Sequence, residues 1–207
     1  MTCTDFDGKK NLNDVRFDLR ESITISGQGV AYITDSDASH NGIVIVDLGT
    51  GVSWRHLDNA PQLHAERQSI PFIWGEAVYS VAGTNLPVTR VLSGASGADG
   101  ITLSPDGETL YWTAVGSRYL YSIPTARLRD NSPASELLAQ ASIVSHGVIG
   151  ISDGLETDSN GLVYTGNFEQ NAINIFDPVS GMTKVFVRGM CLSKILVFST
   201  CSLNVVS

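Results

Sequence analysis

Asn13, Asp99 and Asp153 carry the chemistry that this sequence offers most directly. Each opens a segment of one pattern, in which Asn or Asp is followed five residues later by Asp or Ser, with apolar residues at alternate places between. The three segments are Asn13-Asp14-Val15-Arg16-Phe17-Asp18, Asp99-Gly100-Ile101-Thr102-Leu103-Ser104 and Asp153-Gly154-Leu155-Glu156-Thr157-Asp158. Two carboxylates and an amide are hard oxygen donors, the kind that suit Ca²⁺ or Mg²⁺ and that also bind small polar ligands. The same residue types form turns, with the carboxylate accepting backbone N–H bonds. That reading competes at all three positions and takes over at Asp106, Asp158 and Asp177. Asp14 and Asp18 are expected to pair with Arg16 or Arg20 at the surface.

Other chemistries find less support. His56, His64 and His146 fall outside the repeated column and are read as solvated loop residues rather than general bases. No serine sits in Gly-x-Ser-x-Gly, and Cys3, Cys191 and Cys201 lie near the chain ends without CxxC spacing, which disfavours nucleophilic catalysis, structural zinc and redox motifs. Gly27-Gln28-Gly29 and Gly94-Ala95-Ser96-Gly97 do not precede helices, so phosphate cradling is not expected. Thirteen basic against twenty-one acidic residues give a net charge of −8, which provides no attraction to nucleic acid or anionic membrane and favours small neutral or cationic partners. The opening Met1-Thr2-Cys3-Thr4-Asp5-Phe6 lacks the apolar core of a signal peptide; either the protein is not exported or its true N-terminus is missing.

The elements that would position the column are short strands. Apolar residues at every second place mark half-buried strands, and each opening is followed by a second one, Val30–Thr34, Leu110–Thr113 or Leu162–Thr165. Ser104-Pro105-Asp106-Gly107 and Asp158-Ser159-Asn160-Gly161 supply turn residues before two of these. Third strands follow at Gly42–Asp47, Tyr119–Ile123 and Ala172–Asp177, and further turns lead into fourth strands. Four antiparallel strands per unit, repeated, are the signature of β-propeller blades. Tyr111, Trp112, Tyr119, Tyr121 and Tyr164 are read mainly as sheet packing. Residues 55–97 form a long excursion rather than another blade, and helix is limited to Thr125–Arg129 and Ala134–Ala141, separated by Pro133.

At this level of detail the chain resembles the royal jelly/yellow protein family. The motifs that carry the resemblance are Leu12–Asp18, Ala31–Ser36, Gly42–Leu48, Ser53–Arg55, Asp99–Gly107 with Leu110-Tyr111, and Ser152–Leu155, in the family's order over residues 11 to 188. The resemblance implies an all-β, six-bladed propeller, usually exported and extracellular, present here as an open part with about three to four blades. Residues 1–10 are then an N-terminal remnant and 189–207 an aberrant tail. Gly189-Met190-Cys191 can be encoded by GGT-ATG-TGT, which contains a common fungal 5′ splice-site sequence, so the tail is read as a translated intron or other gene-model error, a natural C-terminal edge strand being the alternative. The blades are also similar to the senescence-marker/gluconolactonase group. Carried over by position, Asp153 matches a metal-binding aspartate, Asn13 matches a polar channel residue, and Asp99 stands in place of an asparagine; a glutamate ligand from a more N-terminal blade has no counterpart. Three functions are therefore expected to compete: small-molecule binding or conversion in the channel, a Ca²⁺-type lactone hydrolase, and a truncated chain without activity.

Overall fold

The computed structural model describes residues 11–37, 40–66, 70–73, 76–77, 79–81, 89–91 and 97–189. Three antiparallel four-stranded sheets follow one another, each a meander whose neighbours in sequence are neighbours in space. The first contains β1 (Leu12–Asp18), β2 (Val30–Asp35), β3 (Gly42–Asp47) and β4 (Ser53–His56). Two short hairpins then intervene along the chain, β5 (Phe72–Ile73) with β6 (Glu76–Ala77) and β7 (Tyr79–Val81) with β8 (Thr89–Val91). The second sheet holds β9 (Ala98–Leu103), β10 (Thr109–Ala114), β11 (Tyr119–Pro124) and β12 (Val144–Val148). The third holds β13 (Leu155–Thr157), β14 (Val163–Asn167), β15 (Ala172–Asp177) and β16 (Met182–Arg188). Two short helices, α1 (Thr125–Arg129) and α2 (Ser135–Ala141), interrupt the second sheet between β11 and β12. This is a partial, open β-propeller: no sheet closes among the described residues. Asn13 and Asp99 stand 86 positions apart, and the described residues between them hold one four-stranded sheet and the two hairpins.

Strand alternation builds the core. On the second sheet Ile101, Leu110, Trp112 and Ile123 turn to one side and pack on Val30, Tyr32, Ile43 and Ile45 of the first. Tyr111 and Leu120 turn to the other side and meet Leu155, Val163 and Phe176 of the third. Each large side chain removed from water in this way contributes about 1.5–3 kcal/mol. The third sheet has no such neighbour beyond it among the described residues, and Phe186 on β16 is 61% exposed.

Turns join the strands as their residues require. Asp106 Oδ1 accepts the Glu108 N–H at 3.0 Å, Asp158 Oδ1 accepts from Asn160 and Leu162 at 2.9 Å each, and Asp177 Oδ1 accepts from Val179 at 2.9 Å. These aspartates fasten the turns.

Two expectations need correction. The pairing of Asp18 with Arg20 is made, at 2.6 Å, but not at the surface: the Asp18 side chain is only 2% exposed. Arg20 donates to both Asp18 oxygens and reaches the Gly107 carbonyl and Glu108 of the next sheet, tying two blades together. Sequence distance hides this, because the partner lies 87 residues away. Likewise His56 is not solvated: its Nδ1 faces Glu136 Oε2 at 2.9 Å and its Nε2 faces the Asp130 carbonyl at 2.7 Å. Glu136 also accepts the Leu57 and Asp58 N–H groups, so this pair fastens α2 to the end of β4. All of 1–10 and, apart from Gly189, all of 189–207 lie outside the described residues, as do Cys3, Cys191 and Cys201. No helix among the described residues is long and apolar enough to cross a membrane.

Candidate functional site

The innermost strands β1 and β9, together with the loop that enters β13, form one wall and place the repeated column on it. Thr34 of β2 accepts the Asp14 N–H at 3.0 Å and donates to the Asp99 carbonyl at 2.8 Å, while the Ile101 N–H donates to Asp14 Oδ2 at 3.2 Å. These bonds lock β1 against β9. The Asp153 turn is held separately, by Ser152 Oγ donating to the Gly154 carbonyl and accepting the Gly166 N–H.

Asn13, Asp99 and Asp153 all line a single open cleft of ≈ 410 Å³, with Asp14, Arg16, Leu155, Glu156, Tyr164 and Ile173 among its other walls. Asn13 Nδ2 donates to Asp99 Oδ1, and the Asp99 and Asp153 carboxyls are hydrogen-bonded to each other. Asp99 is 8% exposed. Burial, reinforced by the negative charges of Asp153 and Asp14, pushes its carboxyl up to about 7, against the opposing hydrogen bond from Asn13. Near neutral pH the Asp99 carboxyl is therefore close to half protonated, a consequence of carboxyls crowded into one buried site.

Gly100 permits the crowding. A Cβ there would lie 2.6 Å from the Asp153 carbonyl oxygen and 2.8 Å from Gly154 Cα, so only glycine lets β9 and the Asp153 turn approach this closely. Gly100→Ala is expected to push the two carboxyls apart and destabilise the fold by about 1–3 kcal/mol, the range for an overpacked contact. Urea denaturation measures the loss, and an unchanged midpoint would mean that the turn shifts freely.

Two carboxylates and an amide give three oxygens of the six to eight that Ca²⁺ takes. Among the described residues no group of three or more His, Cys, Asp or Glu is placed to hold a metal ion. The donor set fits a loosely held cation whose shell is completed by water or ligand, and the repulsion between Asp99 and Asp153 is what such a cation would relieve.

Asp14 and Arg16, expected at the surface, line this cleft instead, and so does Glu156, which no motif marks. In a regular strand Asn13 and Arg16 would point to opposite faces. The β1–β2 register shifts between Leu12 and Val15, and this irregularity brings both to the same opening. A comparable shift lies in the β9–β10 pairing, between the Ile101–Trp112 and Ala98–Ala114 pairs. His56 and His146 serve elsewhere: His146 Nε2 meets Ser122 Oγ at 2.7 Å and its ring packs on Phe176. His64 Nδ1 lies 3.0 Å from the Asn41 amide.

The family model described as Major royal jelly protein matches residues 3–190. A curated candidate sugar lactone lactonase from Rhizobium meliloti (strain 1021) is 30% identical over 105 residues, covering 49% of this chain and 33% of that protein. The matched part thus spans a third of the curated relative. Among solved structures, a gluconolactonase from Xanthomonas campestris superposes with a TM-score of 0.48 at 14% identity over 92% of this chain and 52% of its own. A virginiamycin B lyase from Staphylococcus aureus superposes with a TM-score of 0.42 at 15% identity, over 93% and 60%.

Proposed function

This chain belongs to the major royal jelly protein family, and from that premise we propose that it binds a small molecule, an aromatic amine or related pigment precursor, in the cleft lined by Asn13, Asp99 and Asp153. The observation that carries the reading is the Asp99–Asp153 carboxyl pair, packed with Asn13 in a cleft of ≈ 410 Å³. Clefts of this size hold small ligands, and convergent polar groups on an otherwise apolar wall set their orientation. A cationic group placed against two crowded carboxyls replaces mutual repulsion by attraction. Tyr164, Leu155 and Ile173 offer the apolar surface for a ring. The remaining blades of a complete propeller would wall the cleft on its open side, and export from the cell is part of the same reading.

Isothermal titration with 2-phenylethylamine tests it. Binding in the micromolar to low millimolar range is expected, weakened at least about tenfold by Asp153→Asn, the loss of one charge-assisted hydrogen bond. No heat of binding at millimolar amine would overturn the reading.

The all-oxygen donor set favours a second reading, a lactone hydrolase dependent on a divalent cation. Asn13, Asp99 and Asp153 would hold the ion, whose chemistry is Lewis acidity toward a carbonyl. Titration with Ca²⁺ decides between them: a hydrolase needs the ion, and absence of binding at millimolar Ca²⁺ excludes it.

A further inference from the structure

We propose that the cleft is built for an α-amino acid, its ammonium group lying against the Asp99–Asp153 pair and its carboxylate against the guanidinium of Arg16. The inference rests on the small-molecule reading of the cleft and names the class of molecule.

Arg16 lines the same cleft as the carboxyl pair and is held there firmly. Its Nη1 donates to Asp14 Oδ1 at 2.8 Å and to the Val15 carbonyl at 3.0 Å, and its Nη2 donates to the Leu155 carbonyl at 2.9 Å. These bonds fix the plane of the guanidinium from β1 to β13. They leave one edge over: Nε has no hydrogen-bond partner among the described residues, and Nη2 has a second N–H. The Nε side of a guanidinium, with its paired Nε–H and Nη2–H, is spaced to receive both oxygens of one carboxylate. Glu156 stands 3.5 Å from Nη2, beyond hydrogen-bond range, and its side chain is 73% exposed, so it can turn into solvent when an anionic group arrives.

The cleft is thus bipolar. Arg16 lies three residues along β1 from Asn13, and Leu155, whose carbonyl Arg16 holds, two from Asp153, so the two poles are neighbours on one cleft wall. A ligand that carries an ammonium and a carboxylate on one carbon can make a charge-assisted bond to each pole at once. A simple amine leaves the guanidinium edge unpaired, and a simple acid brings like charge to Asp99 and Asp153. Tyr164 and Ile173 then face the side chain, which favours a large apolar or aromatic one.

Three probes that share a phenyl ring separate the possibilities: L-phenylalanine, 2-phenylethylamine and 3-phenylpropionate, each titrated calorimetrically into the intact chain. L-Phenylalanine is expected to bind at least tenfold more tightly than the amine, and the acid most weakly. Arg16→Gln should bring phenylalanine down to the affinity of the amine, so that the ratio of the two falls from at least tenfold to about one. Arg16→Lys, which keeps the charge but not the paired N–H groups, should fall between, and it serves in place of Arg16→Gln should that variant not fold. Equal affinity of phenylalanine and the amine for the unaltered chain overturns this inference and leaves the small-molecule reading standing. Equal weakening of both by Arg16→Gln overturns it too, since Arg16 would then only hold the strands. Failure of all three probes to bind overturns both.

Discussion

Asp99→Asn is expected to stabilise the folded chain at about pH 8 by 1–3 kcal/mol and to remove most of the pH dependence of stability between about pH 4 and 7. The carboxyl titrates near 7 in the folded chain and near 3.8 when exposed. Between those values the folded state keeps a proton that the unfolded state has released, so rising pH favours unfolding throughout the window. Above it both states are ionised and the penalty is constant. At 1.36 kcal/mol for each tenfold change the full penalty is roughly 4 kcal/mol, and partial hydration of a cleft open to solvent reduces it. An asparagine keeps the shape, accepts the Asn13 N–H through its Oδ1 and carries no charge. Urea midpoints measured at several pH values test this. A flat profile for the unaltered chain, or a loss of stability at pH 8 in the variant, would show that the Asp99 carboxylate is compensated by a partner other than Asn13.

Trp112→Ala is expected to have the largest effect of any single core truncation, about 3–5 kcal/mol. The ring is fully buried between the first and second sheets, lies 5.9 Å from the ring of Tyr121 in a stacked arrangement, and its Nε1 donates to the Gln62 carbonyl at 3.1 Å. Its removal leaves a cavity and an unpaired carbonyl together, and frees the turn at Pro61–Leu63 that begins the excursion. Trp112→Phe separates the two contributions: it fills most of the volume but loses the hydrogen bond, for an expected cost of about 1–2 kcal/mol. If both variants melt with the unaltered chain, the contact between the first two sheets does not limit stability.

The part of this architecture legible from sequence is the part that repeats. Period-two alternation and turn residues located the strands, since Leu110 and Trp112 against Tyr111 is a pattern that only a strand covered on both faces needs. The column of Asn13, Asp99 and Asp153 followed from alignment of the repeats, and the structure brings these three side chains into one cleft. What was not legible depends on long-range partners or on broken register. Glu136 reaches His56 across 80 residues, and nothing local to either residue announces it. Arg16 is read as a surface residue as long as β1 is taken to be regular, and enters the cleft only because the pairing with β2 slips between Leu12 and Val15. Irregular pairing of this kind comes from tertiary contacts, which a single strand's sequence does not encode.

The bond from Arg16 to the Leu155 carbonyl spans 139 residues, while every sheet is a meander of consecutive strands. During synthesis each blade can therefore form as soon as it leaves the ribosome, but the cleft has to wait. At 5–20 residues per second, roughly seven to twenty-eight seconds pass between the synthesis of Arg16 and that of its carbonyl acceptor. Over that interval a nascent chain can hold folded sheets while the cleft is unwalled, and the cleft is complete only once Ile173 of β15 has been made.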